Sequence, residues 1–313
     1  MASLAFLFPG QGSQYAGMGR DLVAADPALR AVFERADAAL SPFGLAISRV
    51  SFEGTEEELK RTAVTQPAIL VHSVAVFEVL KARGLAPSLL AGHSLGEWSA
   101  LVAAGALTLE EAVVLVHRRG TFMQEAVPAG QGAMGAVIGL DGPVVSEACA
   151  ETEAATGEVV SAANFNSPEQ TVIAGTANAV AKAGELLKQK GAKRVLPLPV
   201  SAPFHCALMK PAEEKLSPFL DAAPFADLEV PVVTNVDVLA NLSGAEAREA
   251  LRRQVCSPVR WVETVQRLSR DAADGAIEVG PGTVLSGLAK RIAKDWPVRT
   301  TSDAEGIGKL LAG

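Results

Sequence analysis

Gly92-His93-Ser94-Leu95-Gly96 sets a serine between two glycines, after the apolar run SLLAG at 88–92 and before a helix-like run. This is the G-x-S-x-G spacing of a nucleophile on a sharp strand-to-helix turn. Glycines there let strand and helix approach closely, and the turn holds the serine in strained φ/ψ. The N–H groups of the following helix favour an oxyanion. The bland alternative is a surface turn with an incidental serine. A serine nucleophile needs a base, and the chain has four histidines. His93 adjoins the serine, and in a tight turn its ring points away from the hydroxyl. His72 and His117 fall inside helical runs. His205 lies in SAPFHCALM, after a strand and in a Pro-containing loop, where a sheet strand delivers catalytic groups. Elimination favours His205 as base. No acid stands in an obvious triad position.

A second reactive feature is an arginine. LTLEEAVVLVHRRGTFMQEAV at 107–127 opens with the capping box Thr108-x-x-Glu111, and its spacing puts Ala112, Leu115, Val116, Arg119 and Met123 on one stripe. A cation in an apolar stripe is costly unless paired. It either reaches solvent or an internal carboxylate, or it is a fixed fork for a substrate carboxylate. The glycine-rich FPGQGSQ at 8–14 fails the dinucleotide fingerprint, since Tyr15 takes the third glycine position, and it has no Walker lysine. Backbone N–H groups aimed at an oxyanion are its other use, with plain turn glycines the alternative.

The elements that must position these groups alternate. Strand-like runs at 4–8, 88–92, 230–236 and 276–282 are separated by helical runs that include 30–40 and 66–84. That pattern predicts a parallel sheet covered on both faces. Between them, 132–140, 143–155, 158–166, 170–176, 178–191 and 193–200 read β-α-β-β-α-β, a ferredoxin-like unit. The expected fold is α/β: a hydrolase-like core with a parallel sheet, at 1–127 and 201–313, and an inserted small ferredoxin-like α+β subdomain at 128–200.

Composition bounds the function. The 313 residues are 49% hydrophobic and 20% charged, which fits a globular protein with a sizeable core. Aromatics at 5% and a net charge of −7 argue against nucleic acid and anionic membranes as partners. Cys149, Cys206 and Cys256 are odd in number and form no C-x-x-C, so neither a disulfide framework nor a metal site is expected, and reduced thiols fit a cytoplasmic location. MASLAFLFPG lacks the basic start of a signal peptide.

With these residues in view, the chain resembles the malonyl-CoA:acyl-carrier-protein transacylases of type II fatty-acid synthesis. The resemblance runs nearly end to end: FPGQGSQ at 8–14, GHSLGE at 92–97, RGTFMQEAVP at 119–128, NFNSPEQTVIAG at 164–175, HCALMKPA at 205–212 and EVGPG at 278–282. It implies a Ser94–His205 dyad, a malonyl carboxylate held by Arg119, and oxyanion donation from the backbone N–H groups of Gln11 and Leu95. It also implies that the main chain of Gln254 orients the histidine in place of an acid. Met123, Asn164, Asn166 and Phe204 are expected at the pocket. Some housekeeping members carry serine where this chain has Phe204. In related polyketide acyltransferases, phenylalanine before the histidine goes with malonyl, so a polyketide role stays open.

The implied reaction uses malonyl-CoA as substrate and no bound cofactor. Its partner is acyl carrier protein, and the enzyme is expected as a monomer. Carrier proteins are acidic, so docking is expected at Lys188, Lys190, Lys193 and Arg194, and at Lys290, Arg291 and Lys294, against the alternative of solvated helix faces. Two rivals remain: a serine carboxylesterase, and a non-catalytic module that binds carrier proteins.

Overall fold

The computed structural model describes residues 3–200 and 202–312. Ser201, the expected first residue of the returning core, lies outside the described residues. The strands are β1 (Leu4–Phe8), β2 (Leu89–Gly92), β3 (Gly132–Ile138), β4 (Val160–Ser167), β5 (Gln170–Thr176), β6 (Arg194–Pro197), β7 (Val232–Val233), β8 (Ala240–Asn241), β9 (Gly275–Glu278) and β10 (Val298–Thr300). They form two sheets.

The larger sheet runs β10-β9-β1-β2-β7-β8. Its neighbours are parallel except β7 and β8, which pair antiparallel. β1 shows how the sequence fills both faces. Phe6 and Phe8 point into one apolar cluster, Ala5 and Leu7 into the other, and all four are fully buried. The Phe face is covered by Thr62–Ala82 and Leu109–Glu125, the opposite face by Trp261–Asp271 and Val284–Ile292. Thr62–Ala82 is long and apolar enough to cross a membrane, but its residues are mostly buried within the fold. Leu109–Glu125 begins with the expected capping box, both Thr108 and Glu111 bonds being made.

The smaller sheet is antiparallel, in the order β4-β5-β3-β6. With the helices Gly142–Thr156 and Ala177–Gln189 it has the expected β-α-β-β-α-β order, closed over an apolar layer of its own that includes Val137, Ile173 and Leu187. β4 also leans on the larger unit. Phe165 N–H donates to Val259 O, and Val259 N–H to Ala163 O, both at 2.9 Å.

Two strand expectations shrink. The apolar run 230–236 keeps only Val232–Val233 as strand, because the chain turns at Thr234 and carries Asn235 beneath the serine. The run 276–282 stops at Glu278, where Gly280 at φ 140° and Gly282 at φ 76° bend it away. β8 and β10, two and three residues long, carry no periodic signal of their own.

β1, β2 and β7 are adjacent, and their carboxyl ends release the loops holding Gln11, Ser94 and Asn235. The turn after β2 is as tight as its glycines predict. A Cβ on Gly96 would lie 1.9 Å from Phe8 O, and one on Gly92 would lie 1.9 Å from the Gly96 carbonyl carbon. Gly96→Ala should therefore cost at least about 2 kcal/mol, since the obstacle is backbone. Gly308→Ala, at a helical glycine with open space around it, should be neutral or mildly stabilising. Urea midpoints of the two variants check this; equal midpoints would contradict the close approach.

Candidate active site

Ser94 occupies the cap position of Leu95–Ala103 at φ 51°, ψ −102°, a region a non-glycine residue seldom adopts. Its hydroxyl lies 2.7 Å from Nε2 of His205. His205 is itself held at φ 60° and is 4% exposed. Its Nδ1 lies 3.0 Å from the main-chain oxygen of Gln254. A carbonyl only accepts, so Nδ1 carries the proton and Nε2 faces Ser94 with its lone pair free. Burial, reinforced by the charge of Arg119, pushes the His205 imidazolium down to about 3, so the ring is neutral near pH 7.

Arg119 is fully enclosed at 1% exposure. Nη1 donates to Gln66 Oε1 at 2.7 Å, and Nη2 donates to Ser94 Oγ and Gln254 Oε1, both at 3.0 Å. Nε is buried with no partner. Among the described residues no carboxylate lies within ion-pair distance of it. Burial alone lowers its pKa to about 10, against a rise from the more distant Glu97. Of the two sequence readings, pairing with an internal carboxylate or snorkelling to water is not what the structure contains.

Gln254 ties the parts together. Its Nε2 donates to Glu97 Oε2 at 2.8 Å and to Ser94 O at 3.1 Å, while its Oε1 accepts from Arg119. A donor-only guanidinium on one side and an acceptor carboxylate on the other fix the amide's orientation. Asn235 clamps the turn from below: Oδ1 accepts from Ser94 N–H and Nδ2 donates to Gly92 O, both at 2.7 Å. Glu97 Oε2 also accepts from Asn235 N–H at 2.9 Å.

Above the serine is a cavity of about 120 Å³ that includes Gln11, Leu95, Met123, Asn164, Phe204 and His205 in its walls. That leaves room for a small acyl group beside Ser94. The Leu95 N–H opens a helix and so lacks an intrahelical acceptor. Gly10 brings the Gln11 loop close: a Cβ there would lie 2.3 Å from His93 O. Asn166 Oδ1 and His93 Nε2 meet at 2.8 Å, away from the Ser94–His205 contact.

The basic residues divide. Lys190 pairs with Glu151 at 2.8 Å and Lys193 with Glu169 at 3.4 Å, while Arg291 donates to Gln170 at 3.2 Å. Lys193 and Arg291, one residue from each group, thus meet neighbouring residues at the β4–β5 turn. Lys188, Arg194, Lys290 and Lys294 are exposed.

The residues that sequence reasoning passed over are Glu97, Asn235 and Gln66. Each stands in a run named above: an acid in the first turn of an otherwise apolar helix, an asparagine near the end of the apolar run 230–236, and a glutamine at the start of the helical run 66–84. A polar group in such company was the available signal.

A serine hydroxyl on a strained turn, a neutral histidine within hydrogen-bond reach and two backbone N–H groups nearby are the parts that an acyl-transfer centre requires. The acyl transferase domain family matches residues 5–311, and the chain belongs to it. It is 51% identical to the malonyl CoA-acyl carrier protein transacylase of Escherichia coli K12 over 312 residues, 99% of each chain. It is 48% identical to the Bacillus subtilis enzyme of the same name over 309 residues, 98% of this chain and 96% of the relative. Among solved structures it superposes on an acyl carrier protein S-malonyltransferase from Vibrio cholerae with TM-score 0.95 at 47% identity, covering 99% and 100% of the chains. It matches equally, with TM-score 0.95 and 47% identity over 99% of each, a malonyl-transacylase solved in complex with its type II PKS acyl-carrier protein. Within the acyltransferases, the chain is a member of the malonyl-CoA:acyl-carrier-protein transacylase family.

Asn235→Ala should slow acylation of Ser94 by about 10²-fold, because it frees the strained turn at the nucleophile. It should also cost about 1–3 kcal/mol, from the unpaired Ser94 N–H and Gly92 O. Rapid-quench acylation and a denaturant titration measure both. Acylation at the wild-type rate would remove Asn235 from the positioning of Ser94.

Proposed function

We propose that this chain moves a malonyl group from malonyl-CoA to the phosphopantetheine thiol of an acyl carrier protein, through a malonyl ester on Ser94. The observation that carries the reading is Arg119: a buried cation with an unpartnered Nε, 3.0 Å from the Ser94 hydroxyl, directly behind Ser94 and Gln66 in the wall of a small cavity. A malonyl carboxylate brings two oxygens to that fork, and an acetyl group brings none. The relatives that carry this transfer in their names support the same substrate.

His205 Nε2 takes the Ser94 proton as Oγ attacks the thioester carbonyl. The oxyanion forms against the N–H groups of Gln11 and Leu95. Coenzyme A leaves as the thiol with the proton from His205. The carrier thiol then gives its proton to His205 and attacks the ester, and Ser94 recovers its proton. Gln254 holds the imidazole throughout, in place of an acid. Arg119 depresses the basicity of His205 while the site is empty. A carboxylate on Arg119 offsets that field, so a malonyl group strengthens the base that attacks on its behalf. Asn164, Met123 and Phe204 shape the pocket, and Asn166 reaches it only through His93, which also lines it. Residues 128–200 act as an inserted subdomain that brings β4 over it, and 1–127 with 201–313 as the core.

Carrier docking is assigned to the junction flanked by Lys188, Lys190, Lys193 and Arg194 on one side and by Lys290, Arg291 and Lys294 on the other. A second reading of the carrier, one from polyketide synthesis, is favoured by the 47% identical neighbour solved with such a carrier. Loading assays with both carrier types separate the two. Discharge of the Ser94 ester by water alone would favour an esterase.

Arg119→Ala should lower kcat/KM for malonyl-CoA by about 10²-fold or more and leave acetyl-CoA loading unchanged or improved. Ser94→Ala should give no adduct. Intact-protein mass spectrometry after brief mixing with each thioester measures both. Equal slowing of the two thioesters by Arg119→Ala, or a malonyl adduct on another residue, would overturn the reading. Lys290→Glu with Lys294→Glu should raise the KM for carrier protein, more so at low salt, and spare loading from malonyl-CoA. Equal damage to both half-reactions would remove the junction from docking.

A further inference from the structure

Glu97 is 1% exposed and lies on the first turn of the helix that Ser94 caps. One of its oxygens, Oε2, accepts from Asn235 N–H and from Gln254 Nε2. The far end of that same Gln254 amide accepts from Arg119. One amide therefore separates a buried carboxylate from a buried guanidinium, and neither has an ion pair of its own among the described residues. Two isolated charges this deep are each expensive. Placed one amide apart, each lowers the cost of the other, and the pair is neutral as a unit.

A substrate carboxylate on Arg119 changes that balance. The enclosed set would then hold one cation and two anions. We propose that Glu97 is a positioning residue for carboxylate recognition: it is the resident counter-charge of Arg119 through Gln254, and it takes a proton from solvent when a malonyl carboxylate replaces it in that role. The inference rests on the reading of Arg119 given under the proposed function. The charge of the buried set stays constant, and Gln254 keeps its orientation because a protonated Glu97 still offers an oxygen to its Nε2.

The other titratable groups around Glu97 do not account for such a proton. Burial and Arg119 hold His205 down to about 3, and burial lowers His93. Asp237 is bound to Arg253 at 2.9 Å, which lowers the carboxyl and raises the guanidinium. Arg119 stays charged near neutrality. Burial lifts the Glu97 carboxyl to about 7 in the empty site, and loss of the Arg119 field lifts it further. Below about pH 7 the acid is already protonated and nothing is taken up. Above it, the free enzyme is ionised there and malonylation draws a proton.

The reaction itself is proton-neutral below pH 8: a thioester and a serine hydroxyl become an ester and a thiol. Malonyl-CoA is mixed with stoichiometric enzyme in weak buffer with a pH indicator, from pH 6 to 8. The adduct on Ser94 is counted by mass spectrometry in the same samples. Wild type should take up little at pH 6 and most of one proton per adduct near pH 8. The loading equilibrium should fall by up to tenfold per pH unit above 7. Glu97→Gln, which keeps both accepted bonds through its amide oxygen, should load without uptake and with a flat equilibrium. Adduct without uptake in wild type near pH 8, which needs no variant, would overturn the role of Glu97; so would equal uptake in Glu97→Gln at that pH. Absence of any Ser94 adduct would instead overturn the transfer reading beneath it.

Discussion

Arg119 reaches an amide oxygen, a hydroxyl and a second amide oxygen, and no carboxylate touches it. A guanidinium shut away from water on those terms is touched by dipoles alone, with its nearest counter-charge, Glu97, one amide away, and every neighbour answers to that. Gln66 and Gln254 must turn their oxygens toward it. Because Gln254 is committed at that end, its N–H₂ faces Glu97 and Ser94 O, and its main chain is left to accept from His205. Ser94, His205 and the Gln254 main chain that supports the imidazole are therefore arranged around this one buried charge.

The strain at Ser94 and His205 is affordable because the surroundings over-determine it. Ser94 at φ 51° is tied through its N–H to Asn235, through its carbonyl to Gln254 and through its hydroxyl to His205. Phe8, Gly92 and Gly96 leave the backbone no room to relax. Val238, the remaining non-glycine residue at positive φ among those described, lies on the same loop as Asn235.

Much of this was readable beforehand, and the reason is geometric. Ser94 announces itself through glycines at fixed offsets, and Arg119 through a charge at an apolar position of a 3.6-residue pattern. His205 emerged by elimination among four. Local rules reach that far. Asn235 and Glu97 act across more than 130 residues of sequence, through bonds that no periodicity encodes. Gln254 was named only through family resemblance, for its main chain; its side chain's four contacts come from packing. The strands at 4–8 and 170–176 matched their expected bounds because continuous apolar or alternating runs define them. β7 and β10 were misjudged or missed because two or three residues hold no period.

The strand order β10-β9-β1-β2-β7-β8 has a consequence for how the chain is born. β1 is made well before β9, at Gly275–Glu278, with which one of its edges pairs. Until residue 278 has been made, an apolar strand waits with one edge unmatched, an invitation to pair with another nascent chain. The closing of that central seam is a contact across some 270 residues, of the kind that makes folding slow. The β3–β6 unit has no such debt, since its strands are contiguous in sequence, and it can close while the core is still waiting. Helpers that shield exposed strand edges during synthesis should therefore matter more for the catalytic sheet than for the small one.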